Sequence, residues 1–261
     1  CMQEEDQNDS YFLRSAKMQA ANINPQKMYQ NFHFGLLVRN ASTKHSVVLD
    51  KIKLLCLDRL DSEDALDASG GWYPYRVPWI TGRILISLKS VDFGEYSNSK
   101  RLSGIIEDAI ESLYQRINED DAYWRSGVGD WVTKWESTAL CLEAIFVWGS
   151  IDNDNHYKDV EKIVAYICND EQIQEWLNCE INFSEAKSAN AVLSAVTLAS
   201  VIYRVTRRHF PNQFDNISDK IVDLFDRVVT TINRQGVAKV QQYCTLPQIL
   251  YYVVEALRTN E

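Results

Sequence analysis

Two similar stretches of sequence follow one another in this chain. GGWYPYRVPWITGRILISL begins at Gly70, and GVGDWVTKWESTALCLEAI begins at Gly127. Each stretch places glycine and tryptophan before a polar and aromatic loop, and then opens an apolar segment at Thr81 or Thr138. These two threonines are 57 positions apart, which is enough chain for a helix, a turn and a returning helix. A period in this range predicts stacked helix pairs.

Two kinds of predicted helix alternate along the sequence. One kind has a single apolar stripe, as in Ile217, Ile221 and Leu224, whose spacing puts them on one side of a helix. The other kind is apolar nearly all round and must be enclosed by protein. One-striped helices are predicted at about 46–60, 101–118, 157–168 and 215–233, and enclosed helices at about 79–90, 134–149, 185–206 and 245–258. The alternation favours an all-α double layer of helix pairs over an irregular bundle.

The predicted organisation is an N-terminal helical segment over 1–45, followed by a helical repeat domain over 46–261. With 261 residues, 46% of them hydrophobic, the chain can bury a core without disulfides or metals. The net charge of −9 argues against a nucleic-acid partner. No apolar run approaches the roughly 20 residues that a transmembrane helix needs. The most apolar segment, Ala189–Val205, carries polar residues and is predicted to be a buried helix.

The six cysteines are scattered, and most lie in apolar helical context, which suits reduced thiols. This favours a cytoplasmic location. The first residue, Cys1, leaves two alternatives open. The chain is either a fragment of a larger protein, or a lipid-anchored protein tethered through Cys1 by the polar segment 3–10.

The two glycine–tryptophan loops resemble repeats of the α/α-toroid superfamily, which includes the terpenoid cyclases and the protein prenyltransferase β-subunits. In that superfamily a Gly-X-Trp loop precedes an inner helix that begins near Ser/Thr-Ala. Gly70-Gly71-Trp72 and Gly129-Asp130-Trp131 match the loop, and Ser137-Thr138-Ala139 matches the helix. The later segments match only as helix pairs. The resemblance implies an all-α, α/α-toroid-like double layer, either closed by the N-terminal segment or left open and incomplete.

The motifs that define the enzymes of that superfamily are missing. Triterpene cyclases protonate their substrate with Asp-X-Asp-Asp, and neither 61–67 (DSEDALD) nor 118–124 (NEDDAYW) fits that motif. Prenyltransferases bind zinc through Asp, Cys and His. Here the four histidines are isolated in sequence, and Cys168 and Cys179 have no partner at ligand spacing. We therefore expect no metal and no cofactor.

Five of the seven tryptophans fall in the two loops that precede enclosed helices. A ligand is expected at this rim, because helix N-termini there offer unpaired N–H groups and partial positive charge. The predicted binding residues are Trp72, Tyr75, Arg76, Trp79, Trp124, Arg125, Trp131, Lys134 and Trp135. The alternative is that the tryptophans wedge neighbouring repeats together.

Two carboxylates in the second loop are the candidates for acid–base chemistry. Asp130 and Glu136 lie beside aromatic residues, where the pKa of a carboxyl group can be shifted. The alternative is that they complement the dipole at the start of a helix, and the sequence favours it. A basic cluster, Arg204, Arg207, Arg208 and His209, ends an enclosed helix, either as favourable charge placement or as a site for an acidic partner segment.

The sequence therefore predicts a non-catalytic interaction or regulatory module of a larger protein or assembly. It would bind a protein or peptide partner through the aromatic rim. Two alternatives stay open: a toroid that binds or converts a lipid or a carbohydrate, and a lipid-anchored surface protein.

Overall fold

Helices account for all regular secondary structure in the described residues, which confirms the all-α prediction. The computed structural model describes residues 78–89, 100–117, 122–124, 133–152, 154–241 and 246–258. The chain divides into two compact units, Cys1–Gln115 and Arg116–Glu261. The segment predicted over 1–45 and the helix predicted at 46–60 lie outside the described residues. The division of the sequence at residue 45 stays a prediction.

The other seven predicted helices are all present, within a few residues of the expected bounds. The first unit contains α1 (Pro78–Lys89) and α2 (Lys100–Tyr114), which pack against each other. The second unit contains α3 (Lys134–Val147), α4 (Asp154–Ile167), α5 (Asp170–Trp176), α6 (Ala186–His209), α7 (Asp215–Gln235), α8 (Val237–Gln241) and α9 (Leu246–Arg258), with a 3₁₀ turn at Ser150–Asp152.

The one-striped helices bury the predicted stripes. On α7 the stripe of Ile217, Ile221, Leu224, Val228 and Ile232 is buried, and charged residues occupy the opposite side. The helix ends at Gly236, which adopts a φ of 85°, a conformation that favours glycine. The N–H of Gly236 donates to the carbonyl of Ile232 at 2.9 Å, which satisfies one carbonyl of the last turn.

Helix α6 is the centre of the second unit. It packs against α3, α7 and α9. Every side chain from Ser194 to Thr206 is buried, as predicted for an enclosed helix. Among the described residues, α6 alone is long and apolar enough to cross a membrane, and 83% of its most apolar window is buried inside the protein. That burial is the environment of a core helix.

The first turn of helix α4 contacts the end of α6. The hydroxyl of Tyr157, in the first turn of α4, donates to the backbone carbonyl of His209 at 3.2 Å. The ring of Tyr157 lies 4.9 Å from that of Phe210, centroid to centroid. The start of α4 is therefore fixed to the end of α6. The arrangement of the helices into a closed or open toroid stays a prediction.

Helix α9 differs from the expectation that it is enclosed by protein. It buries Leu246, Ile249, Tyr252, Val253 and Ala256. Its other side exposes Leu250, Tyr251, Val254 and Leu257, each between 39% and 45%. Within the second unit α9 packs mainly on α6. Because a single neighbouring helix covers only one side of α9, the apolar residues on its other side stay exposed.

Candidate functional site

The N-terminal end of α3 brings together three residues of the predicted rim, Trp124, Lys134 and Trp135. The helix begins after Thr133, whose hydroxyl oxygen accepts a hydrogen bond from the backbone N–H of Glu136 at 3.1 Å. This is the usual N-cap geometry, and it satisfies one of the N–H groups that a helix start leaves unpaired. Glu136 also places a carboxylate in the first turn, where it complements the helix dipole.

Lys134 is held in place by an ion pair and two aromatic rings. Its Nζ lies 2.8 Å from Oε2 of Glu175 on α5. The same atom lies 4.4 Å from the ring centroid of Trp135 and 5.8 Å from that of Tyr123. Ammonium groups within about 6 Å of an aromatic face are attracted to it. Lys134 therefore joins α3 to α5, and it is 32% exposed.

The two described tryptophans of the second loop are buried. Trp124 is fully buried, and its backbone N–H donates to the hydroxyl of Thr138 at 3.2 Å. Trp135 is 6% exposed, and among the described residues its indole N–H has no hydrogen-bond acceptor. Burial of both rings favours the packing explanation for these tryptophans. Their contact with a partner stays a prediction.

The remaining predicted residues divide between the first unit and the parts of the chain that are not described. Trp79 lies in the first turn of α1 in the first unit and is 8% exposed. Trp72, Tyr75, Arg76, Arg125, Asp130 and Trp131 lie outside the described residues.

Glu136 is half-buried, and its carboxylate accepts a hydrogen bond from Ser194 of α6 at 3.5 Å. Because Asp130 lies outside the described residues, its pairing with Glu136 in acid–base chemistry stays a prediction.

Sequence reasoning missed a buried ion pair between α3 and α6. Glu143 and the guanidinium of Arg204 are paired with both side chains 6% exposed. Nε of Arg204 also donates to the carbonyl of Ser200 at 3.3 Å, and its guanidinium carbon lies 5.3 Å from the ring centroid of Phe146. The available signal was Glu143, the one acidic residue of α3 beyond its first turn, in an otherwise apolar stretch, since a buried carboxylate needs a partner.

Tyr251, on the exposed side of α9, has a raised pKa. The pKa of the Tyr251 hydroxyl is raised to about 12, mainly by burial and also by the nearby charges of Glu255 and Glu143, whereas Arg204 acts in the opposite direction. The charges of Glu143 and Arg204 thus act on a side chain of α9, the helix that packs on α6. Tyr251 is 45% exposed, so it reaches the surface.

The described cysteines are free thiols with raised pKa values. Burial raises the pKa of Cys168 from 9.0 to about 12 and raises that of Cys141 well above its ordinary value. Burial also raises the pKa of Cys179. Metal binding and nucleophilic attack require the thiolate, which burial disfavours. Across the described residues no group of three or more His, Cys, Asp or Glu side chains is placed to hold a metal ion.

Comparison with known proteins gives no relative from which a function could be inferred. No protein-family model, no curated protein and no solved structure matches this chain.

Proposed function

We propose that this chain is a non-catalytic helical interaction module that binds a protein partner. The observation that carries the proposal is the exposed side of α9, formed by Leu250, Tyr251, Val254 and Leu257; we call it the α9 face. Four of the seven large hydrophobic side chains that are exposed in the described residues belong to it. Apolar side chains that cluster on a protein surface are typical of interaction sites.

The α9 face has the geometry of a helix-packing surface. Its residues are spaced one, four and seven positions from Leu250, so they form one stripe about two turns long. The opposite side of α9 packs on α6, which in turn packs on α3. A partner helix on the α9 face would extend this row of helices by one member. The partner segment is therefore proposed to be an amphipathic helix with apolar residues at helical spacing.

Charge supports a partner with basic residues beside its apolar stripe. The chain carries a net charge of −9, and long-range attraction speeds the association of oppositely charged partners. Beside the stripe, Glu255 is ion-paired with the exposed Arg258 at 3.6 Å, so the attraction comes from the net charge of the chain.

The experiment combines affinity capture with reconstitution. The intact chain and a Leu250→Glu/Val254→Glu variant are used as bait, and each captured protein is then purified and titrated against both. The expected result is a partner whose affinity for the variant is lower by at least about a hundredfold, because two carboxylates would be buried in an apolar contact. A matched control is Val229→Glu, which places the same charge on an exposed valine of α7 (36% exposed) and is expected to bind normally.

Three outcomes would contradict the proposal. The first is a partner that binds the α9 variant as tightly as the unaltered chain. The second is concentration-dependent dimerisation of the isolated chain that the α9 substitutions abolish, since a second copy would then cover the face. The third is a large fall in thermal stability of the variant, because substitutions at exposed positions are usually within about 0.5 kcal/mol of neutral.

A further inference from the structure

A cleft of about 410 Å³ opens where α6 ends and α7 begins. Tyr203 and Arg207 line it from the last turns of α6, and Asp219 and Val222 line it from α7. The rings of Phe210 and Phe214 in the connecting segment complete it. Small-molecule and peptide-side-chain sites commonly fall in the range of about 300–1,000 Å³. None of the residues of the α9 face lines this cleft.

The polar side of the cleft is a tyrosine–arginine pair held in fixed geometry. Tyr203 is 4% exposed, and its hydroxyl oxygen accepts a hydrogen bond from Nη1 of Arg207 at 2.7 Å. The guanidinium carbon of Arg207 also lies 5.3 Å from the centroid of the Tyr203 ring. Stacking and hydrogen bonding together orient the guanidinium before any ligand arrives.

The Tyr203 hydroxyl retains an unused donor. A phenol can donate its proton while its oxygen accepts. The Tyr203 oxygen already accepts from Arg207, and among the described residues no acceptor takes its proton. A ligand atom that accepts hydrogen bonds would complete this pairing, and the neighbouring guanidinium favours an acceptor that is negatively charged.

The apolar side of the cleft is aromatic. Phe210 is 2% exposed, and its ring meets that of Phe214 edge-to-face at 6.0 Å between centroids. Val222 is 43% exposed and belongs to the α7 side of the cleft. A ligand with an apolar body would remove this valine and the half-buried Phe214 from water.

We infer that this cleft binds the carboxylate of a ligand with an apolar or aromatic body. The carboxylate accepts from the Tyr203 hydroxyl and from the guanidinium of Arg207, and the body lies against Phe210, Phe214 and Val222. Asp219 on the opposite wall repels a second negative charge, so a singly charged carboxylate fits better than a phosphate dianion. The same chemistry has two sources: the C-terminus of a peptide that ends in an apolar residue, and a free aryl or alkyl carboxylic acid.

Calorimetric titration of the intact chain tests this inference with three probes. They are the tripeptide Ala-Ala-Phe as its free acid, the same tripeptide with a C-terminal amide, and 3-phenylpropionate. The free-acid peptide is expected to bind at least about tenfold more tightly than the amide, because hydrogen bonds to a charged group contribute about 1.5–3 kcal/mol. A peptide that binds much more tightly than 3-phenylpropionate identifies a peptide C-terminus as the ligand. Equal affinities identify a free acid.

Two substitutions in the cleft and one control locate the binding. Tyr203→Phe removes only the hydroxyl, and Arg207→Gln removes the charge; each is expected to weaken free-acid binding by about tenfold. Arg208→Gln removes another exposed charge from the next position of α6, which does not line the cleft, and is expected to leave the affinity unchanged.

The inference is overturned if the amide binds as tightly as the acid, or if Arg208→Gln weakens binding as much as Arg207→Gln. It is also overturned if none of the three probes binds at millimolar concentration while all variants keep the thermal stability of the unaltered chain.

Discussion

Glu143 on α3 and Arg204 on α6 form an ion pair that is almost fully removed from water, with each side chain 6% exposed. Taking two charges out of water costs several kcal/mol per ion, and only a close pair with further hydrogen bonds offsets that cost. The Ser200 carbonyl and the Phe146 ring supply additional contacts for Arg204.

Breaking this pair from one side is expected to destabilise the protein strongly. Glu143→Ala leaves the guanidinium of Arg204 buried without its counter-charge, and the free energy of unfolding should fall by about 3–5 kcal/mol. The double variant Glu143→Leu/Arg204→Met replaces both charges with apolar groups of similar size and should unfold within about 1 kcal/mol of the unaltered chain or above it. Urea denaturation followed by circular dichroism measures both.

The exposed pair Asp223–Arg227 on α7 supplies the control, because Asp223→Asn should change stability by less than about 0.5 kcal/mol. If Glu143→Leu/Arg204→Met is as unstable as Glu143→Ala, the fall in the free energy of unfolding does not come from an unpaired charge.

The Cys168 thiol should react slowly with alkylating reagents in the folded protein. Its pKa of about 12 leaves it almost entirely protonated at pH 8, whereas a thiol of ordinary pKa 9.0 is about one-tenth thiolate there. Iodoacetamide labelling at pH 8, read by peptide mass spectrometry with and without urea, compares the labelling rates of Cys168 in the unfolded and the folded protein. Equal labelling rates in the two conditions would contradict it.

Raised thiol pKa values also give the stability of the protein a pH dependence. The folded pKa of Cys168 lies above its unfolded value, so the unfolded state releases this proton first as the pH rises. The contribution of the protonated Cys168 thiol to the free energy of unfolding is fully present below about pH 9 and is lost as the pH rises towards 12. The Cys168→Ala variant should therefore lose less stability between pH 8 and pH 10 than the unaltered chain, as measured by denaturant unfolding at each pH.

Removing the cap of α3 should have a modest effect on stability. Thr133→Ala deletes the acceptor for the N–H of Glu136 and should lower the free energy of unfolding by about 1 kcal/mol. Thr133→Ser keeps the hydroxyl and should stay close to the unaltered chain. Thermal unfolding of the three proteins makes the comparison, and an equal loss in the serine variant would show that the threonine methyl group matters instead of the cap.

Trp124 is expected to act through packing. Because its side chain is fully buried, Trp124→Ala should destabilise the protein by about 3–5 kcal/mol. Denaturant unfolding measures this loss. A variant that keeps its stability but no longer binds a partner would support the rim interpretation instead.

The helices could be predicted from sequence because their apolar periodicities are regular. The stripe on α7 and the enclosed character of α6 both follow from the spacing of apolar residues, and the structure buries both sets. The helix α5 was missed because it is only seven residues long and mostly polar. It forms because Asn169 caps it, accepting from the N–H of Gln172 at 2.9 Å, and because Nε1 of Trp176 donates to the carbonyl of Ile167 at 3.1 Å.

The candidate surfaces could be predicted only in part, because they depend on which helices meet. Glu143 and Arg204 are 61 positions apart, and no local pattern pairs them. Tyr203 and Arg207 are four positions apart on α6, yet the cleft exists only because α7 returns beside them. The sequence predicts that α9 is enclosed by protein, because its apolar composition is the same whether or not a second helix covers the exposed stripe.

The position of α6 between α3, α7 and α9 has a consequence for how the second unit unfolds. In linear repeat proteins, one end can fray while the other stays folded, because each repeat touches only its neighbours. Here three helices share a single partner, so loss of α6 would remove the main packing surface of all three at once. Amide protons in α3, α7 and α9 would then exchange through one common opening, and the unit would behave as a single cooperative block.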